Sequence, residues 1–148
     1  MPSACFIDTN ILLYAQDPNA PEKRKKAAEW LKALVPTGLV VISPQVMNEF
    51  AYNVLKKFRH VQFEQLRRSL EDMGQWCRAP MTSQTSIQAL LIHERFKFSF
   101  FDACIVASAL SAGCGNLLSE DLSHNQRVHR LRIINPFVTD LQRFLQEN

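Results

Sequence analysis

The sequence predicts an α/β fold in which a parallel sheet lies between helices on both of its faces. Short apolar runs of strand length alternate along the chain with longer segments of helical periodicity. No Asn-Gly or similar dipeptide marks a tight hairpin, which favours parallel over antiparallel strands. The 148 residues are 47% hydrophobic, contain no internal repeat and show no linker, so one domain over residues 1–148 is expected.

Four apolar runs are predicted to be buried strands, because each has strand length and is bounded by polar or turn-forming residues. They cover residues 4–7, 39–42, 116–119 and 131–134. The first run stops at Asp8-Thr9-Asn10, a polar segment expected to form a turn.

The segments between these runs have apolar residues at helical spacing. The predicted helices cover residues 11–15, 22–35, 44–55, 63–76, 83–96, 102–110 and 140–146. Ser43 followed by Pro44 indicates a helix start, since Ser is a favoured N-cap and Pro is favoured in the first turn. The helix over 102–110 is apolar nearly all round and should be buried on most sides.

Core-facing side chains follow from the same spacing. For the helix after Pro44 the predicted core face is Val46, Met47, Phe50, Ala51, Val54 and Leu55. For the helix over 83–96 it is Ile87, Leu90, Leu91 and Ile92. The aromatic residues Phe96, Phe98, Phe100 and Phe101 are expected to pack in the core rather than to stack on bases.

Composition excludes several classes of protein. No run reaches the roughly 20 apolar residues of a membrane-spanning helix, and the N-terminus lacks the features of a signal peptide, so a cytoplasmic protein is expected. The four cysteines form no C-x-x-C pair, which favours reduced structural thiols. The four histidines lack metal-binding spacing, and no P-loop or G-x-S-x-G motif is present.

The net charge of +3 is mildly basic, and the distribution of charge is more informative than the total. Clusters of basic residues can follow a phosphate backbone, although each cluster alone is more often a solvated helix face. The candidate RNA-binding residues are Lys56, Lys57, Arg59, His124, Arg127 and Arg130.

Four acidic residues lie where predicted strands end or helices begin. Asp8 directly follows the first strand and Asp121 comes just after the third, and ligands of open α/β sheets bind at the carboxyl ends of strands. Glu49 lies in the second turn of the helix after the second strand, at the edge of its apolar stripe, and Asp102 opens the most apolar helix. Each acid alone could be a helix cap or a surface residue.

Together, four carboxylates at one edge of a sheet would repel one another and raise one another's pKa unless a cation neutralised them. Oxygen-only ligands select hard ions, so the sequence predicts a Mg²⁺ or Mn²⁺ site with Asp8 as the central ligand. Such ions suit phosphodiester hydrolysis, because one can activate a water and another can stabilise the leaving oxygen. Thr9, Asn10 and Ser119 are predicted to orient the carboxylates by hydrogen bonds.

The segment Phe6-Ile7-Asp8-Thr9-Asn10 resembles the opening signature of PIN-domain nucleases. Further resemblances, in the family's order, are Asn48-Glu49-Phe50, Ser99-Phe100-Phe101-Asp102-Ala103, Leu118-Ser119-Glu120-Asp121-Leu122 and Ile134-Asn135-Pro136-Phe137. The match covers nearly the whole chain, and its order and spacing are similar to those of VapC-type toxins of bacterial toxin–antitoxin pairs.

This resemblance implies a PIN-like fold and an endoribonuclease that depends on Mg²⁺ or Mn²⁺. It also implies a cognate antitoxin protein that holds the enzyme inactive, and a homodimer, for which Trp30 and Trp76 are candidate exposed apolar residues. The implied acidic quartet is Asp8, Glu49, Asp102 and Asp121. Asn125 stands where related sequences often have Gly, and whether Glu120 also contacts the metal stays open.

Two other functions remain possible at this point. One is a non-catalytic PIN-fold module that binds RNA or protein, although such a module has no need of a self-repelling acidic cluster. The other is a metal-dependent phosphatase or DNA nuclease with the same acids, since the choice of RNA over DNA depends on contacts to the 2′-hydroxyl.

Overall fold

The computed structural model describes residues 3–147, and its centre is a five-stranded sheet with strand order β2-β1-β3-β5-β4. The strands are β1 Cys5–Ile7, β2 Val40–Val41, β3 Asn116–Leu118, β4 Arg127–Val128 and β5 Leu131–Ile134. The pairs β1–β2, β1–β3 and β3–β5 are parallel, and only β4–β5 is antiparallel. The predicted α/β fold with a largely parallel sheet is therefore confirmed.

Seven α-helices accompany the sheet within the described residues. They are α1 Thr9–Tyr14, α2 Pro21–Leu34, α3 Pro44–Lys57, α4 Phe63–Gly74, α5 Ser83–Phe96, α6 Phe100–Ser111 and α7 Leu141–Glu147, with a 3₁₀ turn at Val35–Thr37. Every predicted helix is present, and the ends differ from the predicted ones by no more than two residues. The Ser43 hydroxyl caps α3 as predicted, because it accepts a hydrogen bond from the Val46 N–H.

The sequence shows no tight-hairpin signal, yet β4 and β5 form a hairpin. These strands are joined by the two residues His129 and Arg130, with Val128 opposite Leu131. His129 has φ 54°, a left-handed conformation that turns of this kind usually assign to Gly, Asn or Asp. The hairpin therefore lacks the usual sequence signal.

Helix α6 is the most deeply buried helix, as its composition predicts. Its seven residues from Ala103 to Ala109 are all buried. Ser99 caps the helix, with its hydroxyl oxygen 3.2 Å from the Asp102 nitrogen that donates to it. Asp102 is consequently held in the first turn of a helix that cannot easily move.

The predicted core face of α5 was largely wrong. Ile87, Leu90 and Leu91 are 53%, 57% and 55% exposed, and of the four predicted residues only Ile92 is buried. The buried face instead carries Thr85 and Ala89, at i and i+4, with Ile92 one turn further on. Small side chains on this face allow α5 to pack closely on α6, and the larger apolar side chains point to solvent.

Other predicted burial also needs correction. Leu55 of α3 is 65% exposed and Phe101 is 68% exposed, whereas Phe98 is buried as expected. Conversely Trp30, a candidate for an exposed dimer contact, is fully buried, and its ring lies 5.0 Å from that of Phe144. Trp76 is only partly exposed.

The four cysteines are free thiols, and Cys5, Cys104 and Cys114 are buried. Among residues 3–147, no helix combines the length and the apolar character needed to cross a membrane.

Candidate active site

Asp8 and Ser119 lie side by side at the carboxyl edge of the sheet, because the parallel pairing continues one residue beyond the strands. The Asp8 N–H donates to the Leu118 carbonyl at 2.9 Å, and the Ser119 N–H donates to the Ile134 carbonyl at 2.9 Å. The edge formed by β1, β3 and β5 is therefore the place where these side chains meet, as the strand order requires.

Asp8 is a buried carboxylate, 5% exposed, held by two hydrogen bonds. Its Oδ1 accepts from the Thr9 N–H at 2.7 Å and its Oδ2 accepts from the Ser119 hydroxyl at 2.8 Å. Asp8 is also the N-cap of α1, so the capping role considered from sequence is present. Capping uses one carboxylate oxygen and leaves further lone pairs on both.

Burial raises the pKa of Asp8 to about 7 and is the largest cause of the shift. The hydrogen bonds from Ser119 and Thr9 oppose the increase, and the negative charges of Asp102 and Glu49 add to it. The sequence predicted that the carboxylates raise one another's pKa, and Asp102 and Glu49 do so at Asp8, although burial contributes more. Because the charges of Asp102 and Glu49 raise the pKa of Asp8, both carboxylates lie close enough to Asp8 to act on its charge.

Glu49 is connected to Asp8 through Thr9. The Thr9 hydroxyl donates to Glu49 Oε1 at 2.9 Å, while the Thr9 backbone N–H donates to Asp8. Because Glu49 lies on α3 and Thr9 begins α1, this contact joins the two helices at the acidic site.

Asp121 is exposed and lies on the loop after β3. The Asn10 side-chain amide donates to Asp121 Oδ2 at 2.8 Å. Ser119, Thr9 and Asn10 thus donate to Asp8, Glu49 and Asp121 respectively. These contacts are of the kind predicted for residues that orient metal ligands, and the orienting role itself stays a prediction.

Glu120 is directed away from the acidic site. The Tyr14 hydroxyl donates to Glu120 Oε1 at 2.8 Å, and the Lys23 ammonium forms a salt bridge with Oε2. The Lys23 ammonium also lies 4.7 Å from the centroid of the Tyr14 ring. Glu120 is therefore neutralised by α2, in contrast to Asp121 beside it.

None of the four acids forms a salt bridge with a Lys, Arg or His in the part of the chain that the structure describes. Four oxygen donors that lack a cationic partner match the ligand preference of Mg²⁺ or Mn²⁺. In residues 3–147, however, no group of three or more His, Cys, Asp or Glu side chains is arranged to hold a metal ion. The donor chemistry fits a divalent ion, and the hydrogen-bonded carboxylates would have to turn toward it.

A cavity of about 240 Å³ opens beside Asp121. Its lining includes Asn10, Tyr14, Asn53, Lys57, Phe58 and Asp121. Tyr14 and Asn53 were not identified from sequence, because their proximity to Asp121 depends on the packing of α1 against α3. Of the candidate RNA-binding residues, Lys57 lies at this cavity.

The other candidate RNA-binding residues are distributed over the surface. His124 lies at the carboxyl edge, where its Nδ1 accepts from the Asn135 N–H at 3.0 Å. Arg130 lines a different cavity, of about 480 Å³. Ser111 at the end of α6 lines it too, and Ser111 lies about 14 Å along the helix axis from Asp102.

Lys56, Arg59 and Arg127 are exposed. The Lys56 ammonium lies over the Tyr52 ring, 5.6 Å from its centroid. The structure places Asp102 and Glu49 near Asp8 and joins Asp121 to Asn10, two residues after Asp8. It does not bring all the basic candidates to this site.

Comparison with known proteins identifies the family. The family model for the PIN domain matches residues 5–128. A solved toxin–antitoxin complex from Klebsiella pneumoniae is similar in fold, with a TM-score of 0.67 and 19% sequence identity over 90% of this chain and 98% of that chain. No curated protein sequence matches. PIN domains are generally nucleases, and PIN nucleases typically use divalent metal ions. Since the family model spans most of its length, the chain belongs to the PIN domain family.

Proposed function

We propose that the protein is a Mg²⁺- or Mn²⁺-dependent endoribonuclease, and that it is the toxin of a VapC-type toxin–antitoxin pair. The proposed catalytic and metal-binding residues are Asp8, Glu49, Asp102 and Asp121. The observation that carries the proposal is the buried Asp8 carboxylate at the carboxyl edge of a PIN-family sheet, with Asp102 and Glu49 acting on its charge. Among residues 3–147, no cationic side chain is paired with any of the four acids.

In this proposal the acidic residues bind the metal and the neighbouring polar residues orient them. Asp8, Glu49, Asp102 and Asp121 would hold divalent ions, which when bound supply a Lewis acid and lower the pKa of a water. Thr9, Asn10 and Ser119 donate hydrogen bonds to three of these carboxylates and would orient them once an ion is bound. Burial of Asp8 keeps bulk water from its carboxylate, which strengthens its attraction for a cation.

The substrate and the partner follow from the resemblance of the acidic motifs to VapC-type toxins. The similar solved structure is a toxin–antitoxin complex, which supports an antitoxin protein as the partner of this chain. A protein of this kind acts on cellular RNA, so we propose a cytoplasmic location. An alternative DNA nuclease would use the same acids, and the two are separated by experiment.

The function is tested by incubating the purified protein with tRNA, rRNA or single-stranded DNA in Mg²⁺, Mn²⁺ or EDTA. We expect cleavage of RNA in either metal, no cleavage in EDTA and intact DNA. Cleavage of DNA alone would establish the DNA nuclease. Binding of RNA without cleavage in any metal would establish the non-catalytic module.

We further propose a homodimer in which the exposed face of α5 is part of the contact. Ile87, Leu90 and Leu91 lie at i, i+3 and i+4, and each is more than half exposed.

We expect Leu90→Glu to convert a dimer into a monomer in light scattering at micromolar concentrations, because it places a charge in the contact. The control is Val138→Glu, at an apolar side chain that is 66% exposed on a loop, which should leave the mass unchanged. A wild-type protein that is monomeric throughout this range would contradict the dimer.

A further inference from the structure

We propose that the cavity beside Asp121 is a subsite for one nucleotide of the RNA, adjacent to the scissile phosphate, and that Lys57 binds the phosphate of that nucleotide. This inference rests on the proposed function and extends it to how the substrate is held. The chemical class of ligand is a single-stranded ribonucleotide segment.

The cavity and the acidic site share their boundary. Asn10 and Asp121 line the cavity, and they are also the hydrogen-bonded pair at the exposed end of the acidic group. A nucleotide in the cavity would therefore continue directly into the region of the four acids. The volume of about 240 Å³ is below the roughly 300–1,000 Å³ of common small-molecule sites, which suits one nucleotide rather than several.

Lys57 is the cation among the residues that line the cavity. It is the last residue of α3, it is exposed, and within residues 3–147 it forms no salt bridge. Its ammonium group is thus available to a phosphate, in contrast to the Lys23 ammonium, which is paired with Glu120. An ammonium on a flexible stem is a common phosphate ligand.

Two further side chains of the cavity carry acceptor oxygens. The Asn53 side-chain amide nitrogen donates to the Glu49 carbonyl at 2.8 Å, and Asn53 Oδ1 is an acceptor. The Asp17 carboxylate lines the same cavity. These acceptors complement a nucleotide's donors, which are the ribose 2′-hydroxyl and the amino groups of bases.

One wall of the cavity is fixed before any ligand binds. The Tyr14 hydroxyl donates to Glu120, and the Tyr14 ring meets the edge of the Phe137 ring with centroids 5.3 Å apart. Phe58, which directly follows α3, is buried. A wall that does not need to be ordered lowers the entropic cost of binding.

The test measures binding of a labelled single-stranded oligoribonucleotide with phosphorothioate linkages, which resist cleavage, by fluorescence anisotropy at several salt concentrations in Mg²⁺. We expect Lys57→Met to raise Kd about tenfold, the value for one charge-assisted contact. It should also lower the log–log salt slope by about 0.7, the contribution of one phosphate contact on a single strand. Lys57→Arg should keep most of the affinity and the slope.

The matched control is Lys32→Met. Lys32 is also an exposed lysine near the end of a helix. It lies two residues before Leu34, which lines a cavity with Cys5 at the start of β1, the end of the strand away from Asp8. We expect this variant to bind as the wild type does. Equal melting temperatures of the variants would show that the fold is unaffected.

Equal changes of Kd and slope in Lys57→Met and Lys32→Met would overturn the subsite, as would a wild type that does not bind the oligonucleotide. Failure of the nuclease proposal would give another result. The wild type would bind the oligonucleotide with a salt slope that Lys57→Met lowers, but it would not cut unmodified RNA in Mg²⁺ or Mn²⁺. If the wild type cuts RNA but Lys57→Met leaves the salt slope of binding unchanged, the subsite proposal is wrong and the nuclease proposal stands.

Discussion

Replacing Asp8 or Asp102 by Asn is expected to lower the rate of RNA cleavage by roughly a thousandfold or more. A metal ligand contributes several kcal/mol to stabilisation of the transition state, and each 1.36 kcal/mol is a factor of ten in rate. Asn keeps the shape of Asp and is an equally good N-cap, so α1 should remain intact in Asp8→Asn. The rate is measured under single-turnover conditions in Mn²⁺.

The control for this prediction is Asp72→Asn, which changes an exposed Asp of α4. It should cleave at the wild-type rate. If Asp8→Asn or Asp102→Asn cleaved at a rate near that of the control, the assignment of these carboxylates as metal ligands would be wrong.

The second large effect is a loss of stability of the metal-free protein as the pH rises. The folded-state pKa of Asp8 is raised from 3.8 to about 7, so between these values the native state keeps a proton that the unfolded chain has released. The native state is therefore favoured below pH 4, and this contribution is lost progressively as the pH rises to about 7. About three pKa units correspond to an upper limit of about 4 kcal/mol in the free energy of unfolding.

Asp8→Asn should remove this dependence, since Asn does not ionise. In EDTA at about pH 7.5 the variant should melt roughly 10 °C above the wild type, given about 2–4 °C per kcal/mol for a chain of this size. At about pH 4 the two melting temperatures should be close. The measurement is thermal unfolding of both proteins across this pH range.

Metal should reduce the difference in melting temperature between the two proteins. A divalent ion at 100 times its Kd adds about 2.7 kcal/mol to a native state that binds it, and the wild type should gain more than Asp8→Asn. If Asp8→Asn instead melts below the wild type in EDTA, and both gain equally from Mn²⁺, Asp8 is a structural cap only.

The strands and helices were predictable because the spacing of apolar residues distinguishes short strands from longer helices. The four predicted strands and seven predicted helices are present, since each segment has either strand length or a helical repeat. The β4–β5 hairpin was not predictable, because its turn places His129 at positive φ without Gly or Asn. Asn125, which stands where related sequences often have Gly, has φ 66°, a left-handed conformation that Asn tolerates.

The buried face of α5 was not predictable from hydrophobicity alone. The face of α5 with Ile87, Leu90 and Leu91 is the more apolar one, yet it is exposed. The buried face carries Thr85, Ala89 and Ile92. The deciding factor is close packing against α6, and a sequence pattern does not show which helix a face will meet.

In the candidate site, the positions of Asp8 and Asp121 followed from strand ends, and those of Thr9 and Asn10 from their place beside Asp8. The engagement of Glu120 by Lys23 could not be predicted, because the two residues are 97 positions apart in sequence. The dominance of burial in the pKa of Asp8 likewise depends on tertiary packing.

The metal site centred on Asp8 is tested most directly by calorimetric titration of Mn²⁺ into the metal-free protein at about pH 6. Repeating the titration in buffers of different ionisation enthalpy measures the number of protons released. Asp8 is then largely protonated, so binding of Mn²⁺ to its carboxylate must release a proton. We expect the wild type to bind Mn²⁺ and to release about one proton per protein, and Asp8→Asn to bind more weakly and to release almost none. Equal affinity and equal proton release in the two proteins would contradict a metal site centred on Asp8.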